Sequence, residues 1–320
     1  MTLPVIDFSG FRGDGGDADR AIATRLRRAC VAHGFFLLSG HGVDEPLRDA
    51  AFNAAKAFFD APIEDKAAIA IEASPYHRGW YGEGGEILDA RTQPQGDVKE
   101  GVKIGRDLPL SHPNVAAGMA LHGPNQWPDA AAHPDFKPAM QACYAACEQV
   151  SRRLMQAFAL SLELPPTHFD KWLSLPMATL SPLRYPPRRH DDGLGAGAHT
   201  DFGCLTLLMQ HDEAGLEIAM PDGSWQGVPA DRSLIVVNIG DMMARWTNDL
   251  YRSTRHRVVN HAGKTRHSLA FFFDPDADAD LSPLPGCLAD GQTPAYPPAN
   301  ALQHLLSKIE DSFTYRQEGG

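Results

Sequence analysis

The sequence predicts a mainly β fold with flanking helices, built as a double-stranded β-helix (jelly-roll) core with an α/β N-terminal region packed on it. Three observations predict it. Beyond Met177 short apolar runs are separated by turn signals, amphipathic helical patterns crowd the first half, and neither an internal repeat nor a linker cuts the chain. By character, residues 1–130 form an N-terminal region of helices and short strands with a substrate-loop segment. Residues 131–320 carry a long helix, the jelly-roll catalytic core and a C-terminal helix, the whole forming one integrated unit.

Each element follows from a local signal. Pro4 to Phe8 is a short extended run, and Asp17 to His33 repeats Ile22, Leu26, Ala29, Cys30 and His33 at helical spacing, with Gly34 as its stop. Phe35-Phe36-Leu37-Leu38 is too short and too continuously apolar for a surface helix, and Gly40-His41-Gly42 closes it as a turn closes a buried strand. A second helix is expected from Pro46 to Phe59. Residues 74 to 125 mix Gly, Pro, charges and aromatics without a period, which predicts loops and short strands over the core, a setting where function often sits. From Phe136 to Leu164, Met140, Cys143, Cys147, Val150, Leu154, Phe158 and Ser161 recur in steps of three and four, and Pro165-Pro166 ends this long helix. Strands are then expected at Ala178 to Tyr185, Ala198 to Gln210, Leu216 to Met220, Ser224 to Val228, Leu234 to Ile239, Arg257 to Asn260 and Ser268 to Phe273. Pro221-Asp222-Gly223 is hairpin chemistry between two of them. Ala301 to Ile309 predicts a helix that covers the barrel or reaches a second copy, so monomer and homodimer both stay open.

The 320 residues suffice for about two domains or one large barrel. Forty acidic against 29 basic residues leave a charge of −11, which argues against nucleic acid and anionic membrane as partners. With 43% hydrophobic and 22% charged residues and no 18-residue apolar run, the composition is that of a globular chain. The opening residues lack a basic stretch followed by an apolar one, so neither a secretory signal nor a membrane anchor is read, and a cytoplasmic location is expected. Five scattered cysteines, an odd count, predict buried reduced thiols rather than a disulfide framework.

Fourteen histidines raise the question of which converge. In an extended run, a period of two puts His199 and Asp201 on one face and turns Thr200 away. Candidates for a third ligand are His211, His256, His261 and His267. His256 opens His256-Arg257-Val258-Val259-Asn260, whose β-branched residues suit a barrel strand, whereas His261 precedes Ala262-Gly263-Lys264 and reads as turn. His256 is therefore the expected third ligand. Two histidines and a carboxylate with open positions form the facial triad of non-haem Fe(II) oxygenases, in which the ion holds cosubstrate and dioxygen together. Zinc accepts the same ligands. Arg266-His267-Ser268 alternates again, placing a guanidinium and a hydroxyl on one face, as a bidentate clamp on a distal carboxylate needs and as zinc hydrolysis does not.

His199-x-Asp201, His256 and Arg266-x-Ser268 resemble the pattern of the isopenicillin N synthase-like family of iron- and 2-oxoglutarate-dependent dioxygenases. The resemblance covers nearly the whole chain. Pro4-Val5-Ile6-Asp7-Phe8, Gly34-Phe35-Phe36 through His41-Gly42-Val43, Arg78-Gly79-Trp80, Asp97-x-Lys99-Glu100, Gly123-Pro124-Asn125-Gln126-Trp127-Pro128 and Asn238-Ile239-Gly240-Asp241 are similar to further family blocks. It implies that His199, Asp201 and His256 ligate Fe(II), with no catalytic residue beyond these ligands. Arg266 and Ser268 would hold the far carboxylate of 2-oxoglutarate, and Tyr185, in Leu183-Arg184-Tyr185-Pro186, would line the cosubstrate site. It also implies dioxygen as the other cosubstrate, release of succinate and carbon dioxide, and a small organic substrate, hydroxylation being the default outcome. Some family members oxidise without 2-oxoglutarate and keep the Arg-x-Ser pair, so a 2-oxoglutarate-independent Fe(II) oxidase or cyclase is a second reading. A non-catalytic metal-binding jelly roll is a third, against which the full ligand set and the clamp argue.

The remaining histidines read as structural. Gly193, Gly195 and Gly197 read as a flexible lead into the His199 strand, and Arg188, Arg189 and His190 as a solvated loop rather than an anion site. Met242-Met243 and Phe271-Phe272-Phe273 read as core. Ser181, Ser233 and Cys204 stand in no nucleophile signature. Tyr76, Arg78, Trp80, Glu86, Lys99 and Glu100 form a dense polar and aromatic set, for which packing over the barrel and contact with substrate weigh about equally.

Overall fold

The computed structural model describes residues 3–187, 193–260, 263–289 and 291–313. The chain begins on β1 (Val5–Asp7) and crosses through α1 (Asp17–Ala32) to β2 (Phe35–Ser39), which runs parallel to β1 with Val5 opposite Leu37. The helix buries Ile22, Leu26, Ala29 and Cys30. Gly34 stops it at a φ of +65°, where a Cβ would lie 2.0 Å from the Arg252 carbonyl oxygen, so only glycine fits. Next come α2 (Glu45–Phe59), α3 (Ile63–Ala67), β3 (Gly79–Tyr81), β4 (Glu100–Gly105), α4 (Pro113–Ala116) and the long α5 (Phe136–Ser161). The stripe Met140, Cys143, Cys147, Val150, Leu154 and Phe158 of α5 is buried, and this helix packs on α1 and α2.

The strand-rich region supplies β5 (Thr179–Tyr185), β6 (Ala196–His199), β7 (Leu205–Gln210), β8 (Leu216–Ala219), β9 (Trp225–Gly227) and β10 (Ile235–Ile239). After α6 (Asp241–Trp246) come β11 (His256–Val258), β12 (Arg266–Phe273) and α7 (Ala301–Ser312). These strands build the expected jelly roll. An eight-stranded sheet runs β1-β2-β10-β7-β12-β5-β4-β3, and a four-stranded sheet runs β6-β11-β8-β9. Phe35 and Val236 of the large sheet cluster with Leu216 and Ile218 of the small one, closing one end of the sandwich. Four strands of the large sheet lie within residues 5–105, so the N-terminal region extends the sheet as well as packing helices on it.

One expected strand divides. The run from Ala198 to Gln210 is not continuous, because β6 ends at His199 in the small sheet and β7 starts at Leu205 in the large one. Asp201 therefore sits just past a strand end rather than within a strand. The crossing is tight: a Cβ on Gly240 would lie 2.2 Å from the Gly203 carbonyl oxygen, and one on Gly203 would lie 1.9 Å from Asp274 Oδ1. Its backbone groups find partners outside any ladder, with Cys204 N–H donating to Asp274 Oδ1 (2.7 Å) and Asp241 N–H to the Asp201 carbonyl (2.8 Å). All five cysteines are free and four are buried. Among the described residues, no helix is long and apolar enough to cross a membrane.

Candidate metal centre and its cavity

His199 closes β6, His256 opens β11, and these two strands pair antiparallel with His199 directly opposite His256. Their ring centroids are 4.3 Å apart. The crossing segment brings Asp201 against both, its Oδ1 lying 3.7 Å from His199 Nε2 and 3.6 Å from His256 Nε2. One ligand atom from each of the three residues lies within 4.8 Å of the others, which is a span one ion can bridge. The rest of each side chain is already committed. His199 Nδ1 donates to the Gly197 carbonyl (2.7 Å) and His256 Nδ1 to that of Thr254 (3.2 Å), which fixes both rings with Nε2 turned toward Asp201. Thr206 Oγ1 (2.5 Å) and Asn238 Nδ2 (2.6 Å) both donate to Asp201 Oδ2, leaving Oδ1 for a cation. Burial, together with the neighbouring His256, pushes the His199 pKa down to about 3, so the imidazole is a neutral ligand. His211 and His267 lie elsewhere, beside Lys56 and Phe52 of α2, while His261 falls outside the described residues, as do Arg188, Arg189 and His190.

The cavity beside this triad measures about 160 Å³ and extends between the sheets. Arg266 enters it from β12, where it pairs across the ladder with Tyr185 of β5, its guanidinium 4.8 Å from the phenol ring. It is 2% exposed, and that burial lowers its pKa. Its polar partners among the described residues are uncharged, Tyr185, Ser268 Oγ at 3.4 Å and Gln210 Oε1 at 3.2 Å, with no acceptor there for Nε. A buried cation with no carboxylate beside it among the described residues is costly unless a ligand brings one. The three expected clamp residues thus meet, and Gln210, which the sequence did not single out, joins them. Its signal was the period of two along β7, which pairs Gln210 with Ser268.

The opposite wall comes from Glu86 and Lys99, which the sequence left undecided, and from Lys103, which it did not single out. Lys99 Nζ binds Glu86 (2.8 Å) and Asp97 (2.5 Å), while Lys103 Nζ reaches the other Glu86 oxygen at 3.5 Å, and Glu86, Lys99 and Lys103 all line the cavity. Burial opposes ionisation of Glu86, yet Lys103 and Lys99 together hold its carboxyl well below the usual carboxylate range. Phe313 and Phe272 also line the cavity. The expectation that all of Phe271-Phe272-Phe273 is core fails at Phe272, because strand alternation sends it to the cavity face and its neighbours to the core. Met242 and Met243 are core as expected. Tyr76, Arg78 and Trp80 support loops and strands nearby, and Arg78 donates to the carbonyls of Tyr76, His77 and Leu121.

Comparison with known proteins agrees with this geometry. Residues 3–130 match a family described as non-haem dioxygenase in morphine synthesis N-terminal, and residues 176–275 match the 2OG-Fe(II) oxygenase superfamily. The chain is 37% identical to the 2-oxoglutarate-Fe(II) type oxidoreductase hxnY of Emericella nidulans, over 97% of this chain and 90% of that protein. It is 36% identical to the 2-oxoglutarate-dependent dioxygenase citB of Monascus ruber, over 88% of this chain and 87% of that one. Among solved structures, a full-length Neurospora crassa protein in complex with alpha-KG superposes with a TM-score of 0.84 at 28% identity, covering 97% of this chain and 96% of that one. The same protein has been solved with alpha-KG and thymine. A 2OG-Fe(II) oxygenase family protein from Caulobacter crescentus gives 0.83 at 31% identity, covering 97% and 99% of the two chains.

Proposed function

The chain belongs to the 2-oxoglutarate- and Fe(II)-dependent oxygenases, and from that premise we propose that His199, Asp201 and His256 hold the iron. In this assignment Arg266, with Ser268 and Tyr185, holds the far carboxylate of 2-oxoglutarate. The enzyme is an oxidoreductase that oxidises a small organic substrate with Fe(II), 2-oxoglutarate and dioxygen, yielding succinate and carbon dioxide. The observation that carries the residue assignment is the Arg266 guanidinium, buried beside the triad with no acidic partner of its own. The donor set fits a ferrous ion: two imidazoles and one carboxylate on one side of a site, the rest open to the cavity.

When bound, the iron supplies activation of dioxygen, chemistry that no side chain provides. The protein residues set geometry and charge. Gly197 and Thr254 carbonyls orient the imidazoles, Thr206 and Asn238 orient the carboxylate, and Arg266 neutralises the cosubstrate's outer charge.

The test is anaerobic titration of the Fe(II)-loaded protein with 2-oxoglutarate, followed by the visible metal-to-ligand charge-transfer band. The band forms in the wild type and is lost in His256→Ala. Arg266→Ala needs on the order of 30- to 1000-fold more 2-oxoglutarate, the effect of leaving a buried charge partner unmet. Iron binding without a band would move the protein to the 2-oxoglutarate-independent oxidases, and a band unaffected by His256→Ala would overturn the ligand assignment.

A further inference from the structure

We propose that Lys103 is the substrate anchor and that the cavity selects a small ring-bearing acid, its carboxylate on the Lys103 ammonium and its ring against Tyr81, Phe272 and Phe313. This deepens the oxygenase reading above and rests on the cavity being its active site. Lys103 lies on β4, and the β4–β5 register that pairs Gly101 with Leu183 and Ile104 with Leu180 sets Lys103 opposite Ser181. Cross-strand partners share a face, and both residues line the cavity.

The charges on this wall balance in number but not in placement. Two lysines face two carboxylates, yet Lys99 takes Asp97 at 2.5 Å and one Glu86 oxygen at 2.8 Å, leaving Lys103 the other Glu86 oxygen at 3.5 Å. An ammonium has three donors, and this one has a single long bond. Its remaining surroundings are ring faces: Tyr81, Phe272 and Phe313 have their centroids 5.5, 5.3 and 5.5 Å from Nζ. Those faces attract the cation but offer no lone pair for its N–H groups. Beside it, Ser181 Oγ is buried with no hydrogen-bond partner among the described residues, a second donor on the same wall. Two under-used donors next to aromatic rings match a carboxylate carried on a ring. Burial pushes the Lys103 pKa down and Glu86 only partly restores it, so a further anion is favoured there.

The test uses the full chain loaded with Fe(II) and 2-oxoglutarate without oxygen. The probes are benzoate and its methyl and hydroxy derivatives, each against the corresponding primary amide, with binding read by calorimetry and by perturbation of the charge-transfer band. At least one acid binds the wild type tenfold or more tightly than its amide. Lys103→Met loses tenfold or more for that acid, leaves the amide unchanged and keeps the 2-oxoglutarate band, which also verifies folding, while Lys103→Arg retains the preference. Equal binding of acids and amides, undiminished acid affinity in Lys103→Met, or no acid binding to a wild type with a normal band each overturns the proposal. A wild type without a band overturns the iron and cosubstrate assignment itself, and the anchor with it.

Discussion

Strand β4 carries a buried charge cluster on each face, and the two differ in how completely their charges are met. On the face away from the cavity, Glu100 accepts from Lys66 Nζ at 3.1 Å, from Trp80 Nε1 at 2.8 Å and from Arg184, and Lys66 also donates to the Phe59 carbonyl. On the cavity face, Lys103 has one bond of 3.5 Å. This cluster, in which Glu100 meets three donors and Lys66 makes two hydrogen bonds, ties α3, β3 and β5 to β4. A cluster with donors to spare is either a cost to folding or a binding device, and its place beside the triad decides for the second.

The largest expected effect tests the outer cluster. Lys66→Met leaves Glu100 buried with a partner missing and destabilises the protein by about 3–5 kcal/mol in urea unfolding, while the 2-oxoglutarate titration stays as in the wild type. A change in the titration instead of in stability would reverse the roles of the two faces.

A smaller effect lies in the acid response of the inner cluster. The folded-state pKa of Glu86 is depressed, so its stabilisation is present above the unfolded carboxylate range and is lost as pH falls through that range towards the folded value. Between about pH 5 and pH 3 the wild type therefore loses stability more steeply than Glu86→Gln, by a slope of up to about one proton. Parallel curves from urea midpoints at several pH values would show that the two lysines do not hold this carboxylate.

The smallest effect belongs to the partly exposed member of the outer cluster, Arg184, whose side chain is 24% exposed. Arg184→Ala leaves Glu100 with Lys66 and Trp80 and costs at most about 1 kcal/mol. A cost matching that of Lys66→Met would mean that Glu100 depends on Arg184 as much as on Lys66.

This contrast also explains what could be read from the sequence. His199, Asp201 and His256 were legible as a set, through the His199-x-Asp201 spacing and one choice among four histidines, although the strand assumed to carry Asp201 ends at His199 and the crossing segment places that carboxylate. Arg266 and Ser268 were legible from strand periodicity, whereas Tyr185 came from family resemblance. The inner cluster was not, because Glu86 and Lys99 come from a segment without a period and Lys103 looks like one charge in Gly101-Val102-Lys103-Ile104-Gly105. Only the pairing of β4 with β5 shows which way that lysine faces. The break between β6 and β7 was hidden because residues 196–210 keep a strand-like composition across a change of sheet.

The position of β2 has a consequence for how the chain is made. Its neighbour β1 precedes it, but on its other edge Phe35 pairs with Asn238, roughly 200 residues later. At the usual ribosomal pace of about 5–20 residues per second, that edge of Phe35-Phe36-Leu37-Leu38 stands unpaired for about 10–40 s. An open apolar edge is where strands from other chains add on. Because α1 is synthesised first and packs against both β1 and β2, one face of the nascent strand is covered before the exposure begins, while its edge and the Phe35 face, which later meets Leu216 and Ile218, are left for cellular chaperones to guard.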